Sequence, residues 1–112
     1  MSAWHRACDL DGVPQHTPFP IQAEGSAVCL YRMGDAIYAV SDICPHQRNI
    51  RLSDGYFEDG VIECPMHQSR FDVRTGKVLA PPARRDLDVY EVKVEGGAVF
   101  VRRLDKNVLS EG

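Results

Sequence analysis

Two stretches decide the reading of this chain: Cys44-Pro45-His46-Gln47-Arg48-Asn49, and Glu63-Cys64-Pro65-Met66-His67-Gln68-Ser69. Each carries one cysteine and one histidine, C-x-H in the first and C-x-x-H in the second, with 17 residues between His46 and Cys64. A proline follows each cysteine. Proline fixes φ and removes an N–H, which suits a tight loop and disfavours a helix or a central strand. The pattern predicts two rigid turns, each presenting a thiolate and an imidazole to one shared point. That is the description of a metal site.

The donor set points to iron. A [2Fe–2S] centre with two Cys on one iron and two His on the other requires Cys44, His46, Cys64 and His67 in this arrangement. A structural zinc site uses the same residue types but spaces them C-x₂₋₄-C and H-x₃₋₅-H. Here each segment mixes Cys with His, and the first pair is a single residue apart. Four unrelated polar residues in loops would not repeat the pairing. Neutral imidazoles in place of two thiolates make a cluster less negative, so an added electron is accepted more easily and belongs on the His-ligated iron.

Outward from these loops the pattern is β throughout. Residues 3 to 8 read as a first strand. Pro14 and Pro18-Phe19-Pro20 break the next stretch into loops, leaving Ile21 and Gln22 as a brief edge. Ser26 to Arg32 and Ala36 to Val40 flank a hairpin signal at Met33-Gly34-Asp35. Val61 to Glu63 runs into Cys64 after the turn Glu58-Asp59-Gly60. Arg70 to Val73 and Lys77 to Leu79 flank Thr75-Gly76. Val89 to Val94 alternates and is answered by Ala98 to Arg102. No stretch holds a helical period over 11 residues. The expected fold is all-β: an antiparallel sandwich or small barrel whose strands come from both ends of the chain, beneath centrally placed motif loops. The polar tail from Asp105 to Gly112 is expected to fray.

Size and charge narrow the function. The chain has 112 residues, 44% of them hydrophobic, which is one ordinary globular domain. A formal net charge of −3 does not favour nucleic acid. No apolar run is long enough to span a membrane, and no export signal precedes the first strand, so a cytoplasmic, monomeric protein is expected. Under that reading Cys8 and Cys29 are inert thiols, although a bridge between them remains open. Trp4 is expected to anchor the first strand in the core. His5 and His16 take surface or capping roles. Arg48, Arg51 and Arg70, with Gln47 and Gln68, form either a solvated rim or a basic collar that orients acidic partners.

C-P-H followed by C-P-M-H, with Phe71-Asp72-Val73-Arg74-Thr75-Gly76-Lys77-Val78 and Ala80-Pro81-Pro82 beyond it, resembles the Rieske ferredoxins of bacterial aromatic-ring dioxygenase systems, the biphenyl and toluene types. The likeness is strongest from about Ser41 to Val101. It implies a Rieske fold in which a cluster-binding subdomain, about residues 42–83, is inserted into a β base. It implies one [2Fe–2S] cluster per chain, with Cys44 and Cys64 on the inner iron and His46 and His67 on the outer. Ala80 to Pro82, with Pro81 at its centre, would cover the cluster. Ser69 stands where high-potential relatives carry a serine, and would either donate to a cluster sulfide or bond to nearby backbone. Asn49 and Met66 occupy the positions of the disulfide found in cytochrome-complex Rieske proteins, so that bridge cannot form. Gln47, Arg48 and Arg70 would flank the electron exit. The implied role is a one-electron carrier, not itself an enzyme, between a flavin-dependent ferredoxin reductase and a terminal oxygenase. Alternatives are a small Rieske subunit of a reductase, such as the nitrite reductase type, an iron–sulfur redox sensor, or a zinc-stabilised interaction module.

Overall fold

A computed structural model describes residues 3–45 and 47–104. His46 and the polar tail expected to fray lie outside the described residues. Ten strands form: β1 (His5–Asp9), β2 (Phe19–Ala23), β3 (Ser26–Met33), β4 (Ala36–Ser41), β5 (Tyr56–Glu58), β6 (Val61–Glu63), β7 (Arg70–Asp72), β8 (Val78–Ala80), β9 (Val89–Glu95) and β10 (Ala98–Arg103). The described residues contain no α-helix, only single 3₁₀ turns at Leu10–Gly12 and Leu52–Asp54. The expected all-β fold is the fold observed.

The strands divide into two antiparallel sheets. Six strands run in the order β1-β10-β9-β4-β3-β2, and four short ones in the order β5-β6-β7-β8. The edges β1 and β2 of the larger sheet approach each other, so it is nearly closed into a barrel. The smaller sheet and all the motif loops lie in the chain between β4 and β9, which are themselves neighbours in the large sheet. Ala39 pairs with Tyr90 and Val40 with Val89. The Ser41 N–H donates to the Asp88 carbonyl at 2.9 Å, so the inserted segment leaves and returns at one point.

The two sheets enclose two cores. Val28, Leu30, Ala39, Val99 and Val101 fill the barrel. Cys29, Tyr31, Val40, Leu52, Ile62, Phe71, Val73, Ala83 and Leu87 fill the space between the sheets together with Cys44 and Cys64. β3 belongs to both, because alternate side chains point to opposite faces and both faces of this strand are covered.

Three sequence expectations need correction. Phe19 and Pro20 are not loop: they belong to β2, where Pro20 pairs with Cys29. β2 is an edge strand, the one place in a sheet where a missing N–H costs no ladder bond. Tyr56–Glu58 is a strand that the sequence pattern did not announce. Trp4 is half-buried rather than in the core. The Lys93 ammonium lies 4.7 Å and the Arg102 guanidinium 4.2 Å from the centre of its ring, both cation–π distances.

Candidate metal centre

Each half of the motif sits in a loop closed by its own backbone. In the first loop Cys44 N–H donates to the Ile50 carbonyl at 3.0 Å, Gln47 N–H to Cys44 at 3.1 Å, and Ile50 N–H to Gln47 at 3.1 Å. In the second, Cys64 N–H donates to Ser69 at 2.8 Å and Gln68 N–H to Cys64 at 3.1 Å. Gln68 takes a left-handed φ of 63°, which reverses the chain directly after His67. The result is the same in both loops: the cysteine is pulled inward at the base. Cys44 is 0% and Cys64 1% exposed, while His67, Pro65, Met66 and Gln68 are exposed.

Groups that the motif did not reveal hold these loops. Asp42 is buried, and its carboxylate accepts the Ser53 N–H and the Ser53 hydroxyl, both at 2.7 Å. Leu52 N–H donates to the Asp42 carbonyl at 2.8 Å, so both ends of the first loop are tied. Burial raises the Asp42 pKa, and the Ser53 hydrogen bonds and the Arg51 guanidinium partly offset it. An aspartate in an otherwise apolar stretch needs such partners, and that is the one signal in the sequence that could have flagged it. Gly55 is fixed by packing: a Cβ there would overlap the Glu63 carbonyl, on the residue before Cys64.

A third segment is tied to the second loop. Ser69 is fully buried, and its Oγ accepts the Ala83 N–H at 2.9 Å. Ala83 packs in the same core as Cys44 and Cys64. Pro81 is exposed just ahead of it. The segment is also braced by Asp86, which accepts the Val78 N–H at 2.9 Å, and by the Leu87 N–H, which donates to the Gly76 carbonyl at 2.7 Å.

The donor chemistry fits a two-iron cluster of mixed ligation. Two soft sulfur donors, Cys44 and Cys64, are buried in one core, and the imidazole of His67 is exposed. No disulfide joins any of the four cysteines. Cys29 is buried and inert, its pKa pushed up to about 12 chiefly by burial, and burial also raises the pKa of the half-buried Cys8. Among the described residues no three His, Cys, Asp or Glu side chains are grouped as a metal site, and His46 lies outside them. Of the rim residues, Gln47 is half-buried and Arg48 exposed, whereas Arg70 is paired with Glu63 at 3.0 Å.

The sequence profile of the Rieske-like [2Fe-2S] domain matches residues 3–102. The chain belongs to that family. Its cofactor is therefore a Rieske-type [2Fe–2S] cluster. The chain is 39% identical to the ferredoxin component of the naphthalene 1,2-dioxygenase/salicylate 5-hydroxylase systems of Ralstonia sp, over 88% of this chain and 94% of that one. The ferredoxin of carbazole 1,9a-dioxygenase from Nocardioides aromaticivorans superposes with a TM-score of 0.84 at 35% identity, covering 89% of this Rieske chain and 97% of its own. A chain from the complex of reduced oxygenase and oxidized ferredoxin in carbazole 1,9a-dioxygenase gives 0.83 at 33% identity, covering 91% and 96%. No helix of the described residues is long and apolar enough to cross a membrane.

Proposed function

We propose that this chain is a cytoplasmic one-electron carrier that delivers electrons to a terminal oxygenase acting on an aromatic compound, and receives them from a flavin-dependent reductase. Cys44 and Cys64 would hold the inner iron, His46 and His67 the outer. When bound, the cluster supplies a reversible one-electron couple. The protein's own part is to keep the thiolates dry and to present an imidazole at the surface, because an electron leaves fastest where the partner can come closest. The observation that carries the reading is the contrast between buried Cys44 and Cys64 and exposed His67, in a chain that spans nearly the full length of dioxygenase ferredoxins. The solved ferredoxin–oxygenase complex of a relative supports the oxygenase as partner. In this reading Gln47, Arg48 and Arg70 would flank the electron exit, and Ser69 and Pro81 would belong to the segments that close the site.

The test is ligand replacement read by spectroscopy. His67→Ala and His46→Ala should each lose the Rieske EPR signal, with the visible absorption, and should melt earlier because metal binding and loop structure are coupled. Either variant keeping a full Rieske signal overturns the assignment. In a single-turnover mix, the reduced unaltered protein should be reoxidised by an oxygenase of the aromatic-ring dioxygenase class.

A further inference from the structure

The arginines around the site are neutralised unequally. Arg70 pairs with Glu63 at 3.0 Å, Arg103 with Asp88 at 2.9 Å, and Arg51 reaches Asp42 at 4.0 Å. Arg48, Arg84 and Arg85 are exposed and make no ion pair or side-chain hydrogen bond among the described residues. Arg48 and Arg85 stand on the wall of a cleft of about 520 Å³, to which Arg51 and Arg103 also contribute. Asp86 and Asp88 are the acidic residues lining it, and both are engaged, Asp86 with the Val78 N–H and Asp88 with Arg103. Asp86 keeps its charge while accepting that N–H, yet four arginines against two carboxylates leave the cleft with a local cationic surplus on a chain of net charge −3. Cys44 and Pro45 form part of its wall, so whatever enters it lies within one loop of the metal centre.

We propose that this cleft is a docking site for a carboxylate-rich segment of the redox partner, with Arg48 and Arg85 as its principal anchors. The inference rests on the electron-carrier reading and adds the side of approach and the chemistry of the partner. Guanidinium groups present planar forks that match carboxylates. The cleft holds far more than one inorganic anion, a water molecule occupying about 30 Å³ of liquid. Against a net negative carrier, a local basic surface fixes orientation: an acidic patch is attracted here and repelled elsewhere.

The experiment measures fluorescence anisotropy of fluorescein-labelled hexaglutamate titrated with the cluster-loaded protein. Binding is expected at about 10 mM salt, where the Debye length is about 30 Å, and should fade at about 0.15 M, where it is about 8 Å. The double variant Arg48→Gln/Arg85→Gln should bind roughly tenfold more weakly, which is about 1.4 kcal/mol. Lys93→Gln, which removes a cation stacked on Trp4 over the large sheet, should bind as the unaltered protein does. Equal loss in both variants, no loss in either, or equal affinity for inorganic phosphate would overturn the proposal. The Rieske EPR signal of the same samples tests the carrier reading separately, since it does not depend on these arginines.

Discussion

Ser69 links the second motif loop to the segment that carries Ala83. Its oxygen accepts the Ala83 N–H at 2.9 Å in a fully buried position, and its hydroxyl hydrogen is left to donate. Ser69→Ala leaves the Ala83 N–H buried without that acceptor, so the expected loss is about 1–3 kcal/mol in urea denaturation. A hydroxyl directed at the cluster would stabilise the reduced form more than the oxidised one. Its removal should therefore lower the potential by on the order of tens of millivolts, since about 59 mV corresponds to about 1.4 kcal/mol in a one-electron couple. Protein-film voltammetry reads that shift; an unchanged potential with lowered stability would leave Ser69 as a purely structural tie. The sequence placed Ser69 beside the motif but could not choose its partner, because Ala83 is brought to it only by the path of the covering segment. Asp42 and Ser53 were missed for the same reason: the carboxylate's partner lies eleven residues away.

At the level of elements, the strands most legible in the sequence are β-rich runs joined by a glycine turn. β9 with β10 added alternation to this, whereas β3 with β4 offered the turn and a continuous apolar run from Ala27 to Tyr31. Tyr56–Glu58 was not legible because Glu58 belongs to the turn signal Glu58-Asp59-Gly60, which leaves only Tyr56 and Phe57, and β2 was cut short by a proline that an edge position tolerates. The motif loops were legible because ligand chemistry imposes spacing whatever the surrounding fold. What alternation did not disclose is that β3 is covered on both faces. Tyr31 points to the inter-sheet core, its ring 4.7 Å from that of Phe57, with its hydroxyl buried and without a nitrogen or oxygen partner among the described residues. Burial, then the neighbouring Cys29 thiol, raises its pKa. A thiol is only a weak acceptor. Tyr31→Phe should therefore keep the fold and leave stability unchanged or higher by about 1 kcal/mol. A loss of stability, measured by urea midpoint, would show that the hydroxyl has a stronger role than its surroundings indicate.

For the whole molecule, buried thiol chemistry sets an alkaline limit. The Cys29 pKa lies near 12 in the folded chain against an ordinary 9.0. Above pH 9 the unfolded chain releases this proton before the folded one does. The stability associated with the neutral thiol is thus fully present below about pH 9 and is lost as pH rises toward about 12. In Cys29→Ala the urea midpoint should decline less steeply than in the unaltered protein between about pH 9 and 11. Parallel declines would remove Cys29 as the cause. Alkylation followed by peptide mapping should modify Cys8 before Cys29, in keeping with their burial.

The return of the inserted segment to its own starting point, where Ser41 N–H meets the Asp88 carbonyl, makes the redox unit a transplantable cassette. Residues 42–88 can in principle be exchanged for the corresponding loops of another Rieske protein, or for a hairpin turn of about two to five residues, without re-threading the barrel. The graft would carry one obligation. Cys29, Tyr31 and Val40 belong to the barrel strands but pack under the cassette, so a barrel stripped of it would need polar residues at those three positions.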